Sequence, residues 1–411
     1  ESDFHIISLI RLLYLGNDNI PVIADAKQKI ENSLKTFPFW PNWSKSNPNF
    51  DKIVFWSENH LFMTLGSCYL YNQYVLNPTA KDANNDTKNI ILTELNKKLE
   101  TKLLKIYLRA HCLSEFNGVY EVNSSVYLPY TLSGLMNLYD FTIDDEIKTM
   151  TEHIINRVIF HVLLCTTSNG TSNLSAGGRT FIRTRLRTHG HNINQLMNVL
   201  IGKSPDEVNP SAITDFILTT TWRPNYIEIK NILEFTGTHP TVHLSHNVNI
   251  TRQMYARLAE VEEVNIEELV PFYWSAGLVT HPDFVYDTRV YLANKGMNKN
   301  ENLSALAYLS PSVLQGRMNN YSTVSKGQMY TDLKLNVFKH PKQQLVLSSF
   351  ENYNPHCSSF QQLPWIANIS GIGVWTQSGK GSEALFSFGM TNTHNPVITQ
   401  KGSVLIASYC T

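Results

Sequence analysis

Apolar residues recur three and four positions apart through most of the chain up to about residue 320. Between Asp86 and His111, the residues Ile90, Ile91, Leu95, Leu99, Leu103, Leu104 and Tyr107 fall at helical spacing, which predicts one helix over that segment. Asp144 to Leu164 repeats the pattern with Ile147, Met150, Ile154, Val158, Ile159 and Val162. Asp144, Asp145 and Glu146 fall in its first turn, where carboxylates meet the positive end of the helix dipole. Further helices are predicted at 61–75, 129–139, 192–201, 210–220, 250–260, 266–277 and 303–315, with Gly, Pro, Asn and Ser in the connectors. About ten or more successive helices of one to two dozen residues predict a helical array closed on itself.

Near Ser322 the period changes. Leu333, Leu335 and Val337 alternate with Asp332, Lys334 and Asn336, the period of a half-buried strand. Gln344 to Ser349, Ile369 to Trp375 and Ser403 to Tyr409 also read as strands. The expected fold class is therefore mainly α, with a helical domain over 1–320 and a β-rich domain over 321–411. The second domain is thin for independent burial, and its final run Val404 to Tyr409 would expose an unpaired edge. Its sheet is expected to be completed from outside, by a companion chain, a continuation of a precursor or self-assembly.

Composition narrows the function classes. Lys+Arg and Asp+Glu are each 34, so the net charge is zero, and the basic footprint of a nucleic-acid binder is missing. Charged residues make up 17% and aromatic residues 11%, which argues against disorder. No run of apolar residues is long enough to predict a membrane span. Cys68, Cys112, Cys165, Cys357 and Cys410 show no metal-ligand spacing, so neither a metal nor another cofactor is expected. Cys68 and Cys165 lie in apolar helical patterns and read as core thiols. Asn-x-Ser/Thr sequons begin at Asn42, Asn85, Asn123, Asn169, Asn173, Asn249, Asn302, Asn320 and Asn368. An Asn-rich chain would show roughly six by chance, so the excess is modest. With a first residue other than Met, they point to a secreted or surface-exposed glycoprotein.

Three clusters carry candidate chemistry. Trp56-Ser57-Glu58-Asn59-His60 directly precedes a predicted helix. Ser57 is a candidate N-cap, which places Glu58, Asn59 and His60 in the first turn. There the dipole disfavours a protonated imidazole, leaving His60 suited to act as a general base. The same cluster also suits plain helix capping. Ser114-Glu115-Phe116-Asn117-Gly118-Val119-Tyr120 crowds a carboxylate, an amide and a phenol between two helices, although Asn and Gly are equally ordinary turn residues. Gly177-Gly178-Arg179-Thr180-Phe181 opens a run of alternating arginines able to clasp carboxylates or sulfates, or to form a solvated basic stripe. Trp56, Tyr120, Tyr127, Tyr130, Phe272, Tyr273 and Trp274 recur near these clusters; sugar rings stack on such faces, although most aromatic residues of a helical protein belong to its core. Sequence signatures for dinucleotides, nucleotide phosphates, the serine nucleophile elbow and HExxH zinc sites are missing.

These islands, in this order, resemble a known pattern. Trp56 to His60 followed by Tyr69-Leu70-Tyr71-Asn72-Gln73, then Phe116 to Tyr120, Leu135 to Phe141, Gly178 to Phe181, Phe272 to Ser275 and Leu347 to Trp365, is similar to heparinase/alginate-lyase-like proteins. The resemblance implies an (α/α) toroid followed by a partial β-sandwich. It also implies β-elimination on a uronate-containing, acidic polysaccharide. Asn59 or Asn117 would neutralise the uronate carboxylate, His60 would take the C5 proton, and Tyr120 would return one to the leaving oxygen. Arg179, Glu58, Glu115, Trp56 and Trp274 would hold the substrate. The C-terminal part departs from the pattern: Gln361-Gln362-Leu363-Pro364-Trp365 lacks a histidine usual there, and Trp375-Thr376-Gln377-Ser378-Gly379 is also altered. That departure favours the alternative expectation, a non-catalytic surface or assembly scaffold on the same fold. A glycoside hydrolase using Glu58 and Glu115 is a third expectation.

Overall fold

The computed structural model describes residues 3–16, 21–40, 58–114, 116–117, 119, 128–164, 192–200, 212–233, 241–248, 251–275, 282–294, 332–340, 343–351, 365–369, 372–376, 397–401 and 404–408. The described chain is mainly helical. Its α-helices are α1 (Asp3–Leu15), α2 (Pro21–Lys35), α3 (Glu58–Leu76), α4 (Asn85–Asn96), α5 (Leu99–Cys112), α6 (Leu128–Phe141), α7 (Asp145–Leu164), α8 (Asn192–Leu200), α9 (Ala212–Thr219), α10 (Tyr226–Leu233), α11 (Arg252–Val261), α12 (Val270–Ser275) and α13 (Pro282–Asn294). No described helix is long and apolar enough to cross a membrane.

α3 and α6 form the centre. α3 is buried on every side from Glu58 to Leu70, and α6 is buried from Leu128 to Phe141 except at Tyr130 and Tyr139. Apolar and small residues run around most of both helices, and polar exceptions such as Glu58 in α3 and Asp140 in α6 are themselves buried. They approach closely because each offers a glycine at the contact. A Cβ on Gly66 would come within 3.2 Å of the Leu138 side chain, and one on Gly134 within 3.2 Å of the Phe62 backbone. α1, α4 and α5 pack on α3; α7 and α9 pack on α6; α11 packs on α5. Each fully enclosed Leu, Ile or Phe in this core contributes about 1.5–3 kcal/mol.

The segment predicted as one helix from Asp86 to His111 is instead two. Lys98 is extended, at φ −85° and ψ 133°, and its N–H closes α4 on the Leu95 carbonyl. α4 buries only Ile91 and Leu95, whereas α5 buries nine residues, so the break turns the chain from the surface into the core. Leu95-Asn96-Lys97-Lys98-Leu99 contains no Gly or Pro to signal it. Asp144 also differs from expectation. It stands before α7 as its cap, with Oδ1 accepting the Glu146 and Ile147 N–H groups at 2.9 and 3.2 Å. Residues 266–277 divide as well, into a 3₁₀ turn (Ile266–Leu269) and α12, with Pro271 early in α12, where its missing N–H costs nothing. The predicted helix 303–315 lies outside the described residues.

The strands are β1 (Phe116–Asn117), β2 (Thr241–Val248), β3 (Asp332–His340), β4 (Gln343–Glu351), β5 (Trp365–Ile369), β6 (Ile372–Thr376), β7 (Val397–Lys401) and β8 (Val404–Ser408). β1 to β6 are neighbours in chain order, every pair antiparallel, and β7 pairs with β8. The run Ile369 to Trp375, read from sequence as one strand, is a hairpin in which Ile369 pairs with Ile372. β2 and β1 arise within the first 320 residues, where mainly helices were expected. β2 pairs with β3 from Thr241↔Phe338 to Asn247↔Asp332. Val242, Leu244 and Val248 alternate with His243, Ser245 and Asn247, a period of two that marks this strand.

Candidate functional site

The Glu58-Asn59-His60 cluster forms the first turn of α3, as the sequence predicts, with the acid at the positive end of the dipole. All three residues are enclosed: Glu58 is 1% exposed, Asn59 0% and His60 8%. The His60 ring meets Phe4 of α1 edge-on at 5.2 Å, and Phe4 in turn meets Tyr130 of α6 at 4.6 Å. One turn further on, the Thr64 hydroxyl donates back to the His60 carbonyl at 2.8 Å.

Glu58 reaches across to α5. Its Oε1 lies 2.8 Å from Nε2 of His111, 53 residues away, and both side chains are fully buried. The other ring nitrogen, Nδ1, lies 2.8 Å from the Tyr107 carbonyl. A carbonyl oxygen only accepts, so Nδ1 carries a hydrogen. Nε2 and Oε1 then need a proton between them, whether the pair is written as imidazolium and carboxylate or as imidazole and carboxylic acid. Phe62 and Tyr107 pack edge-on against the imidazole at 4.8 and 4.5 Å, which keeps this proton in apolar surroundings. Arg157 of α7 donates to the His111 carbonyl at 2.7 Å, supplying a cation and a partner at the carboxyl end of α5.

That end of α5 leads directly into the second island. Phe116 and Asn117 form β1, which packs near α5 and pairs with Val248 and Asn247 of β2. Asn117 is therefore on a short strand, where a loop was expected. Glu58, Asn59, His60, His111 and the backbone of Asn117 thus share one region of the fold. Trp274 lies in α12, which packs on α3. Trp56, Glu115, Tyr120 and Arg179 lie outside the described residues. Among the sequons, Asn85 is exposed in the first turn of α4, and Asn368 lies in β5 opposite Gly373. Asn42, Asn123, Asn169, Asn173, Asn249, Asn302 and Asn320 lie outside the described residues.

A second polar centre was not legible in the sequence. Arg11 of α1 is buried among α6 and α9, where its Nε donates to Thr219 Oγ1 at 2.6 Å, Nη1 to Asn137 Oδ1 at 2.9 Å and Nη2 to Asp140 Oδ2 at 2.8 Å. Asp140 Oδ1 accepts from the Thr220 hydroxyl at 2.9 Å and from the Thr221 N–H and hydroxyl at 2.7 and 2.6 Å. The guanidinium also lies over the rings of Phe141 and Phe216, at 5.4 and 5.2 Å. Each of these donors is matched to an acceptor inside the core, which makes this centre a tie between helices.

Among the described residues no cluster of three or more His, Cys, Asp or Glu side chains is placed to hold a metal ion. Cys68 is buried and Cys112 half-buried, both as free thiols. Burial pushes the Cys112 thiol up to about 11, against the opposing pull of Arg157. Burial also raises the Cys68 thiol far above its ordinary range. Neither is a poised nucleophile. No family model matches the chain, and no curated protein or solved structure matches it.

Proposed function

We propose that the chain is a secreted, carbohydrate-active protein of the polysaccharide-lyase type, built as an (α/α) toroid followed by a partial β-sandwich. The observation that carries this reading is the Glu58–His111 contact at 2.8 Å. It ties the start of α3, with Asn59 and His60, to the end of α5, where the Asn117 segment departs. In the proposed reaction Asn59 or Asn117 hydrogen-bonds the uronate carboxylate and spreads the charge that develops beside C5. His60 takes the C5 proton, the C4–O bond breaks as the C4–C5 double bond forms, and Tyr120 protonates the departing oxygen. Glu115, Arg179, Trp56 and Trp274 complete the sugar-binding surface, and the exposed position of Asn85 suits a glycan acceptor.

The test is the ultraviolet absorbance of the unsaturated uronate formed from acidic polysaccharides. His60→Ala is expected to lower the rate by about 10²–10⁴, the usual cost of losing a positioned base. A wild-type protein that yields no such product from any uronate polymer returns the chain to the second reading, a non-catalytic surface or assembly scaffold. That reading has its own support: Glu58, Asn59 and His60 are all enclosed, with His60 against Phe4. On it, His60→Ala lowers stability and leaves polysaccharide binding unchanged.

A further inference from the structure

We infer that Glu58 and His111 form a proton-sharing clamp that orients Asn59 and His60, with Glu58 acting as a positioning residue and not a substrate contact. The inference deepens the lyase reading and rests on it for its consequence in catalysis, but the clamp is a property of the fold and is tested separately. Three observations meet here. The Glu58 carboxylate faces His111, with both side chains at 0% exposure. The His111 ring is fixed from its other side by the Tyr107 carbonyl and edge-on by Phe62 and Tyr107. Phe62 lies two residues beyond His60 on α3, so the ring that seals the clamp belongs to the same turn as the candidate base.

The geometry dictates what a replacement must supply. With Nδ1–H held by the Tyr107 carbonyl, Nε2 of a neutral His111 accepts a hydrogen bond. Glutamine at 58 offers an N–H of the same reach as a protonated carboxyl and keeps the clamp; leucine at 58 fills the volume and offers nothing. Misplacing a reacting group by about 1 Å costs roughly 10²-fold in rate. Glu58→Leu is therefore expected to lose about that factor in kcat with little change in KM, and Glu58→Gln to stay within a few-fold of wild type.

The experiment uses the full chain labelled with ¹⁵N-histidine. Nitrogen-detected spectra report the tautomer and environment of both rings. The expected result is an Nδ1–H His111 in wild type and Glu58→Gln, with His60 signals that coincide. In Glu58→Leu the His60 signals shift. Unchanged His60 signals in a folded Glu58→Leu protein overturn the clamp. If Glu58→Leu does not fold, Glu58→Gln decides alone: retention of the His111 tautomer and the His60 signals supports the clamp, and their loss overturns it. Absence of uronate cleavage in wild type defeats the lyase reading and leaves the spectroscopic result standing by itself.

Discussion

Replacing Asp140 with alanine is expected to be among the most damaging single changes in the helical part. The Asp140 carboxylate is 2% exposed and its partner Arg11 6% exposed, with Oδ2 2.8 Å from Nη2. The substitution strands a buried guanidinium and also leaves Thr220 and Thr221 without their shared acceptor. Breaking a buried ion pair from one side costs about 3–5 kcal/mol, a large part of the about 5–15 kcal/mol that holds a typical domain together. At about 2–3 kcal/mol per molar urea, the midpoint falls by more than about 1 M. Asp140→Asn keeps one acceptor for the threonines and drops the charge, and should fall between the two. Arg11→Met with Asp140→Leu removes both charges together and should recover most of the loss, because no ion remains stranded. Urea titrations followed by far- and near-ultraviolet circular dichroism measure all four proteins. A cost for Asp140→Ala below about 1 kcal/mol, the level of an exposed pair, would refute the claim that this network ties α1, α6 and α9 together.

Gly134→Ala is expected to cost about 1–3 kcal/mol by thermal unfolding, because its Cβ meets the backbone of Phe62 at 3.2 Å and α3 must move. Gly66→Ala meets only the Leu138 side chain, which can rotate, and should cost less. Glu263, at φ 53° just beyond α11, holds a conformation that glycine adopts freely, so Glu263→Gly should stabilise by about 0.5–1 kcal/mol. Its side chain is 89% exposed and 4.0 Å from Lys102, a contact too weak to offset that gain. His153 accepts from Arg157 Nη2 at 2.6 Å, and desolvation, then the Arg157 charge, lower its pKa from 6.5. The unfolded chain then binds more protons, so this contribution to stability is complete above the ordinary value and is lost as pH falls through the depressed one. His153→Gln should flatten the stability–pH profile in that window below 6.5, and an unchanged slope there would contradict the assignment.

Much of the helical part was legible from apolar runs too long for a strand. Residues 61–75 and 129–139 were predicted as helices and lie within α3 and α6. What escaped the sequence was set by distant partners. The break at Lys98 has no local signal, and it arises because α5 buries nine residues that α4 does not. β1 is two residues long and exists as a strand only through Val248 and Asn247. The Arg11 network joins residues 126, 129 and 208 positions apart, a relation that no local pattern encodes.

The candidate site shows the same division within a single residue type. Glu58 and Glu146 carry an identical sequence signal, an acid in the first turn of an apolar helix. Glu146 lies half-exposed beside Arg109 and Lys105, where solvent screens it and substitution should matter little. Glu58 is sealed against His111, where the same side chain has left water for a buried imidazole. The helix dipole accounts for both residues being acids; only the packing of α5 on α3 accounts for one of them being a clamp. His111 carried no motif because its role depends on a partner 53 residues away. The recoverable signal was its position, the one histidine of α5, three residues before Ser114-Glu115-Phe116-Asn117 in the sequence.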